Sequence, residues 1–247
     1  MPRRLSDRKL LEKLIQKIGA RPQQAQFDKQ GHLTFLAIYG FDLQELPPEI
    51  YQFTHLRILS MPCNQLTTLP PEIGQLTNLA RLELNHNRLS KLPPEVGQLT
   101  ELERLILDHN QLTALPEEIG NLTHLQHLSA GNQGISYMPK DIQQQENWQT
   151  YTTSRNQIKH LPLGFWKLTS LTNLELWGNQ ISSLPPEIGQ LTNLEALDVG
   201  HNDLISLPAE IGNLLRLEHL HIQRQPLSTM SSAIRQLTNL KSLSISV

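Results

Sequence analysis

Cysteine is nearly absent: Cys63 stands alone among 247 residues. One thiol forms no internal disulfide, so a small disulfide-stapled secreted fold is excluded. Aromatic residues contribute only 5% of the chain against 38% hydrophobic residues in all, so any core must be aliphatic. No apolar run approaches the length of a membrane span. The N-terminal string KLLEKLIQKI is broken by charges every few residues, unlike the apolar centre of a signal peptide. The G-x-S-x-G, Walker, H-E-x-x-H and paired-cysteine patterns are all missing. These absences lead to the expectation of a soluble, cytoplasmic, non-catalytic chain with no cofactor.

Charge is small in sum and uneven in place. The net charge is −2, yet residues 1–21 carry seven bases and two acids, and the remainder is acidic. An acidic body lacks the basic face that phosphate contact requires, so nucleic acid is not an expected partner. The basic segment has an apolar stripe of Leu10, Leu11, Leu14, Ile15 and Ile18, with Ser6 before it and Gly19 after it. That is the pattern of a capped amphipathic helix. It has no tryptophan anchor, so the expectation is a lid on the fold rather than a membrane contact.

What the chain has in abundance is repetition. Proline follows an apolar residue at Pro47, Pro70, Pro93, Pro116, Pro139, Pro162, Pro185 and Pro208, each 23 residues after the last. Leu79, Leu82, Leu84, Asn87, Leu89, Leu92, Pro93, Val96 and Leu99 keep one register. In LARLELNHN, Leu82 and Leu84 alternate with polar residues, as in a strand buried on one face. Such a unit cannot fold back on itself within its period, so successive copies must stack in parallel. LPPEIGQL returns the chain through a short helical turn begun by proline. Asparagine at 64, 87, 110, 156, 179 and 202 suits a buried amide bonding backbone groups that no strand reaches; Phe41, Gln133 and Gln225 replace it.

The string L-x-x-L-x-L-x-x-N-x-L, followed by LPxxIxxL, resembles the leucine-rich repeat family. The likeness is to the 23-residue class found in Ras-group-related, Scribble-like, Roco-type and bacterial proteins, and the repeated PPEIGQLTNL looks most bacterial. It implies an α/β leucine-rich repeat solenoid, or horseshoe. Short parallel strands would line its concave face and short helical turns its convex face. The expected division is a capping helix and linker over 1–29, then nine full repeats and a partial tenth over 30–247. Ten strands are expected, 23 residues apart. LTNLKSLSISV stops inside the last strand without a polar lid, so the expectation is that the chain continues, that another copy covers the edge by self-association, or that the last strand tolerates exposure.

Strand register assigns the residues facing out of the concave side. The partner-binding candidates are Phe35, Tyr39, Ile58, Arg81, Glu83, Arg104, Ile106, Asp108, Arg155 and Trp177. Exposed aromatic residues with arginine nearby are the usual composition of a binding hot spot. Trp177 is expected between small neighbours, Ser154 and Gly200. His219, His221 and Asp198 form a weaker zinc candidate, set against a simple histidine–aspartate pair. The segment DIQQQENWQTYTTSRNQIKHLP replaces leucines by Gln145, Trp148, Tyr151 and Thr153; gained and lost volumes nearly balance, which points to a repacked core, with a functional bend or looser seam near Trp177 as the alternative. The functional expectation is a module binding another protein, such as a small GTPase or signalling protein. A regulatory arm of a larger GTPase or ubiquitin ligase and a metal-dependent activity are the alternatives.

Overall fold

The computed structural model describes residues 5–132, 155–226 and 232–245. One helix, α1 (Asp7–Ile18), precedes a single sheet whose strands lie in chain order. Strand β1 (Gln24–Phe27) pairs antiparallel with β2 (Leu33–Ala37). From β2 onward all neighbours are parallel: β3 (Ile58–Ser60), β4 (Arg81–Glu83), β5 (Arg104–Ile106), β6 (His127–Ser129), β7 (Asn173–Glu175), β8 (Ala196–Asp198), β9 (His219–His221) and β10 (Ser242–Ser244). Short 3-10 turns return the chain on the convex side, for example Pro71–Gln75, Pro94–Gln98 and Pro186–Gln190. The proline before each of these turns is extended, which fits its fixed φ.

Leucines fill the space between strands and turns. Leu79, Leu82, Leu84, Leu89, Val96 and Leu99 are all fully buried, and their counterparts in other repeats join the same continuous core. The asparagine ladder forms as expected. The Asn87 side chain donates to the Met61 and Leu84 carbonyls, and its oxygen accepts the Leu66 N–H at 3.0 Å. Asn110 repeats this arrangement one repeat later. Gln225 substitutes for asparagine, accepting the Leu204 N–H at 2.9 Å and donating to the Val199 carbonyl.

The N-terminal lid is in place. Leu10 and Leu14 are buried in the common core, and Gly19 ends α1 in the left-handed conformation at φ 78. Ser6 occupies the cap position without a side-chain hydrogen bond. The tie to the sheet comes instead from Asp7, whose buried carboxylate accepts the Leu33 N–H at 2.7 Å. The segment read as a linker contains β1, which covers one edge of β2.

The expected ten evenly spaced parallel strands need correction. Strand β1 is antiparallel, and the period breaks after β6: Leu128 pairs directly with Leu174, two periods on. The strand expected near Thr150 and Thr152 lies outside the described residues, as do Gln145, Trp148, Tyr151 and Thr153. Among the described residues, β6 and β7 are direct neighbours in the sheet. The ladder closes across the same seam. Asn156 accepts the Leu112 N–H at 2.9 Å and donates to the Leu107 and Ala130 carbonyls. It therefore fills the slot that Gln133 holds by sequence register. On the convex side the turn Glu117–Asn121 stacks on Leu163–Lys167 so closely that a Cβ on Gly120 would collide with the Gly164 carbonyl oxygen.

Candidate interaction face

Parallel pairing arranges the outward side chains in rows. One row, taken at the first residue of each strand's pairing, runs Phe35, Ile58, Arg81, Arg104, His127, Asn173, Ala196, His219 and Ser242. The next runs from Ala37 through Ser60, Glu83, Ile106, Ser129, Glu175, Asp198 and His221 to Ser244. A basic stretch (Arg81, Arg104) thus lies beside a row bearing Glu83, Glu175 and Asp198. The pairs that cross between them are loose: Arg81 Nη1 to Glu83 at 3.8 Å, and His127 Nε2 to Glu175 at 3.5 Å.

Phe35, Tyr39 and Ile58 are half-buried, Arg81 is exposed, and Glu83 and Arg104 are half-buried. The N-terminal segment lies beside Phe35 rather than over it, with Gln26 as its strand partner. Arg155 is exposed, next to Asn156 at the seam. Ile106 and Asp108 depart from expectation. They face inward on the curve by register, yet only 1% and 4% of their surfaces are accessible. Side chains converge on the inside of a curved stack of strands only about 4.8 Å apart, so a short side chain in mid-row is covered. A partner cannot touch these two without rearrangement.

Asp108 is the most perturbed acid of this face. Its Oδ1 accepts the Ser129 hydroxyl at 2.6 Å and the Gly131 N–H at 2.9 Å, while Oδ2 is buried with no hydrogen-bond partner among the described residues. Burial pushes its carboxyl up to about 7, and the nearby Glu175 charge adds to the rise. His127 moves the other way, down to about 4, mainly through burial and then through the Arg104 and Arg81 charges.

Trp177 is half-buried, not left in water. Its row neighbour on one side is Gly131, which replaces the expected Ser154 because β6 meets β7 directly. On the other side the indole lies over Gly200, where a Cβ would sit 2.8 Å from Cδ1, and its ring meets His201 at a centroid distance of 4.2 Å. The glycine is what lets the ring lie down. His201 belongs to a set: Cys63, His86, His109, His201 and Arg224 precede the asparagine position with φ between 51 and 56. They are left-handed turn residues, a conformation in which histidine is enriched. Cys63 is buried, and His86 and His109 stack at 4.5 Å. Gly40 and Gly178 fill the same position elsewhere, which was the available signal.

The zinc candidate resolves into separate contacts. His221 Nδ1 lies 3.6 Å from Asp198 Oδ2, whereas the His219 ring nitrogen meets the Ser242 hydroxyl at 2.7 Å. Among the described residues no group of three histidine, cysteine or acidic side chains is arranged to hold a metal.

The leucine-rich repeat region pattern matches residues 19–107, 48–134 and 164–247. The chain belongs to the leucine-rich repeat family. The family matches stop at 134 and resume at 164, bracketing the break in the sheet. Comparison with curated proteins gives no match. Among solved structures, a leucine-rich repeat protein of Leptospira interrogans is 34% identical, with a TM-score of 0.55 over 83% of this chain and 58% of that one. Internalin C2 of Listeria monocytogenes shares the fold at 19% identity, with a TM-score of 0.69, over 96% of this chain and 92% of its own. The ectodomain of a plant membrane receptor kinase from Arabidopsis thaliana, solved in complex with Casparian strip integrity factor 2, is 25% identical, with a TM-score of 0.59 over 84% of this chain. This repeat chain spans 58% of the Leptospira protein and 26% of the plant ectodomain. No helix among the described residues is long and apolar enough to cross a membrane.

Proposed function

We propose that this leucine-rich repeat chain is a non-catalytic, cytoplasmic module that binds another protein across its concave face. Residues 1–29 serve as lid and linker, and 30–247 carry the binding solenoid. The observation that supports this most is the run Phe35, Ile58, Arg81 and Arg104, four successive row positions that keep accessible surface on one side of the sheet. Aromatic side chains and arginine on a rigid surface are the groups that supply most interface energy, and Ile58 adds apolar cover beside them. The cited plant ectodomain, bound to its factor, lends the fold-level analogy, and function is argued from the site and not from fold alone. The cytoplasmic assignment rests on the near-absence of cysteine.

The test is affinity capture from the source cell, followed by calorimetry with the captured protein. Phe35→Ala with Ile58→Ala, and separately Trp177→Ala, should each weaken binding by about 2 kcal/mol, the size of a hot-spot truncation. Trp177→Ala also removes the packing on His201, so its melting temperature is measured alongside. Glu187→Ala, on the convex turn, should change neither. Loss of binding in Glu187→Ala with full binding in the concave variants would move the site to the other side of the solenoid.

A further inference from the structure

The first third of the concave face contains a cleft of about 330 Å³ lined by Phe35, Arg57, Ile58, Arg81, Glu103 and Arg104 among others. Three guanidinium groups and one carboxylate give it a positive balance inside a body that is acidic beyond residue 21. Arg81 and Arg104 are direct strand-register partners. Like charges placed opposite each other across a strand pair oppose folding. The positive field continues along the row, where both arginines disfavour a charged His127. Glu83 pairs with Arg81 at 3.8 Å, and the cleft lining itself keeps three guanidinium groups to one carboxylate. Beside the charges, Phe35 and Ile58 supply a half-buried apolar wall.

We propose that this cleft is an anion-recognition subsite for an extended peptide segment of the partner, one in which an acidic group sits next to an apolar side chain. The inference rests on the concave-face reading and gives it a place and a chemistry. Guanidinium groups present forked donors that match the planar or tetrahedral oxygens of carboxylate and phosphate. Four row positions at about 4.8 Å spacing cover about 14 Å, the reach of four or five extended residues. The apolar wall then holds the neighbouring side chain, which a free inorganic anion does not have.

The probe is a labelled peptide in which glutamate alternates with leucine and phenylalanine, read by fluorescence anisotropy on the full chain. Companion peptides carry glutamine or phosphoserine in place of glutamate. The acidic peptides should bind about tenfold more tightly than the glutamine peptide, and added salt should weaken that difference. Preference for phosphoserine or for glutamate identifies the anion as phosphate or carboxylate. Arg81→Gln with Arg104→Gln should abolish the preference while leaving the melting temperature unchanged or raised. Equal binding of the glutamine peptide, or an undiminished preference in the double variant, overturns the subsite. Partner binding that still depends on Phe35 and Trp177 would in that event leave the concave-face reading standing. Partner binding indifferent to every concave variant would remove both.

Discussion

Asp108 holds its carboxyl inside the sheet, with Oδ1 bonded to Ser129 and Gly131 and Oδ2 facing no donor among the described residues. Its folded pKa, about 7, lies above the ordinary 3.8 because burial penalises the charge. The neutral form is therefore the one that the fold favours. Below the ordinary value both states are protonated and nothing is lost. As pH rises toward 7 the unfolded chain ionises first, so stability falls through that window. At about 1.4 kcal/mol per unit, less some relaxation, the loss is about 2–4 kcal/mol. Asp108→Asn, which cannot ionise, should gain that amount over the parent between about pH 4 and pH 8 in urea unfolding. Parallel pH profiles for the two proteins would show that Asp108 titrates normally. His127 acts at the acid end: its folded pKa is depressed from 6.5 to about 4, so its neutral form is favoured and stability is lost as pH falls through that range. At this scale the asparagine ladder was legible in the sequence, because a buried amide is needed once per turn. The burial of Ile106 and Asp108 was not, because strand alternation gives the direction of a side chain but not how closely its neighbours crowd it.

Two elements decide where the solenoid starts and how it continues. Helix α1 is attached through apolar packing and through the Asp7–Leu33 bond. A charged acceptor on a buried amide contributes about 1.5–3 kcal/mol. Asp7→Ala should lose that much in chemical unfolding, and an unchanged midpoint would leave the attachment to Leu10 and Leu14 alone. The seam between β6 and β7 makes a stronger claim. Asn156 already occupies the ladder slot that follows Asn132, and its N–H bonds the Asn132 side chain at 2.8 Å. Deleting residues 133–155 would join Asn132 directly to Asn156, as His86 joins Asn87. Asn132 would then take the left-handed turn, which asparagine tolerates. The shortened chain should keep its strand content by circular dichroism and melt within about 5 °C of the parent, since the β6–β7 pairing and the Asn156 ladder bonds use none of the deleted residues. Loss of the cooperative transition would mean that residues 133–155 are needed by the core. The irregular string at 141–162 marked the place, but residues 133–155 have the length of one repeat and the period resumes in register. Periodicity alone does not show that β6 pairs directly with β7.

The whole molecule is a one-dimensional stack in which each repeat rests on the next. Its leucines, prolines and asparagines recur because stacking demands them, and these made the fold readable from sequence. The concave side chains are under no such demand. Apart from the pair Arg81 and Arg104, the side chains of Phe35, Ile58, Arg81, Arg104 and Trp177 do not recur from repeat to repeat, so their positions could be assigned by register while their surroundings required the fold. Glu83 and Glu175 project on the concave side, whereas Glu72, Glu95, Glu187 and Glu210 lie in convex turns. Carboxylate labelling with a water-soluble carbodiimide therefore reads both faces in one experiment. With the captured partner bound, labelling of Glu83 and Glu175 should fall several-fold while that of Glu72, Glu95, Glu187 and Glu210 stays constant. Protection of the convex glutamates with unchanged labelling of Glu83 and Glu175 would contradict binding across the concave face.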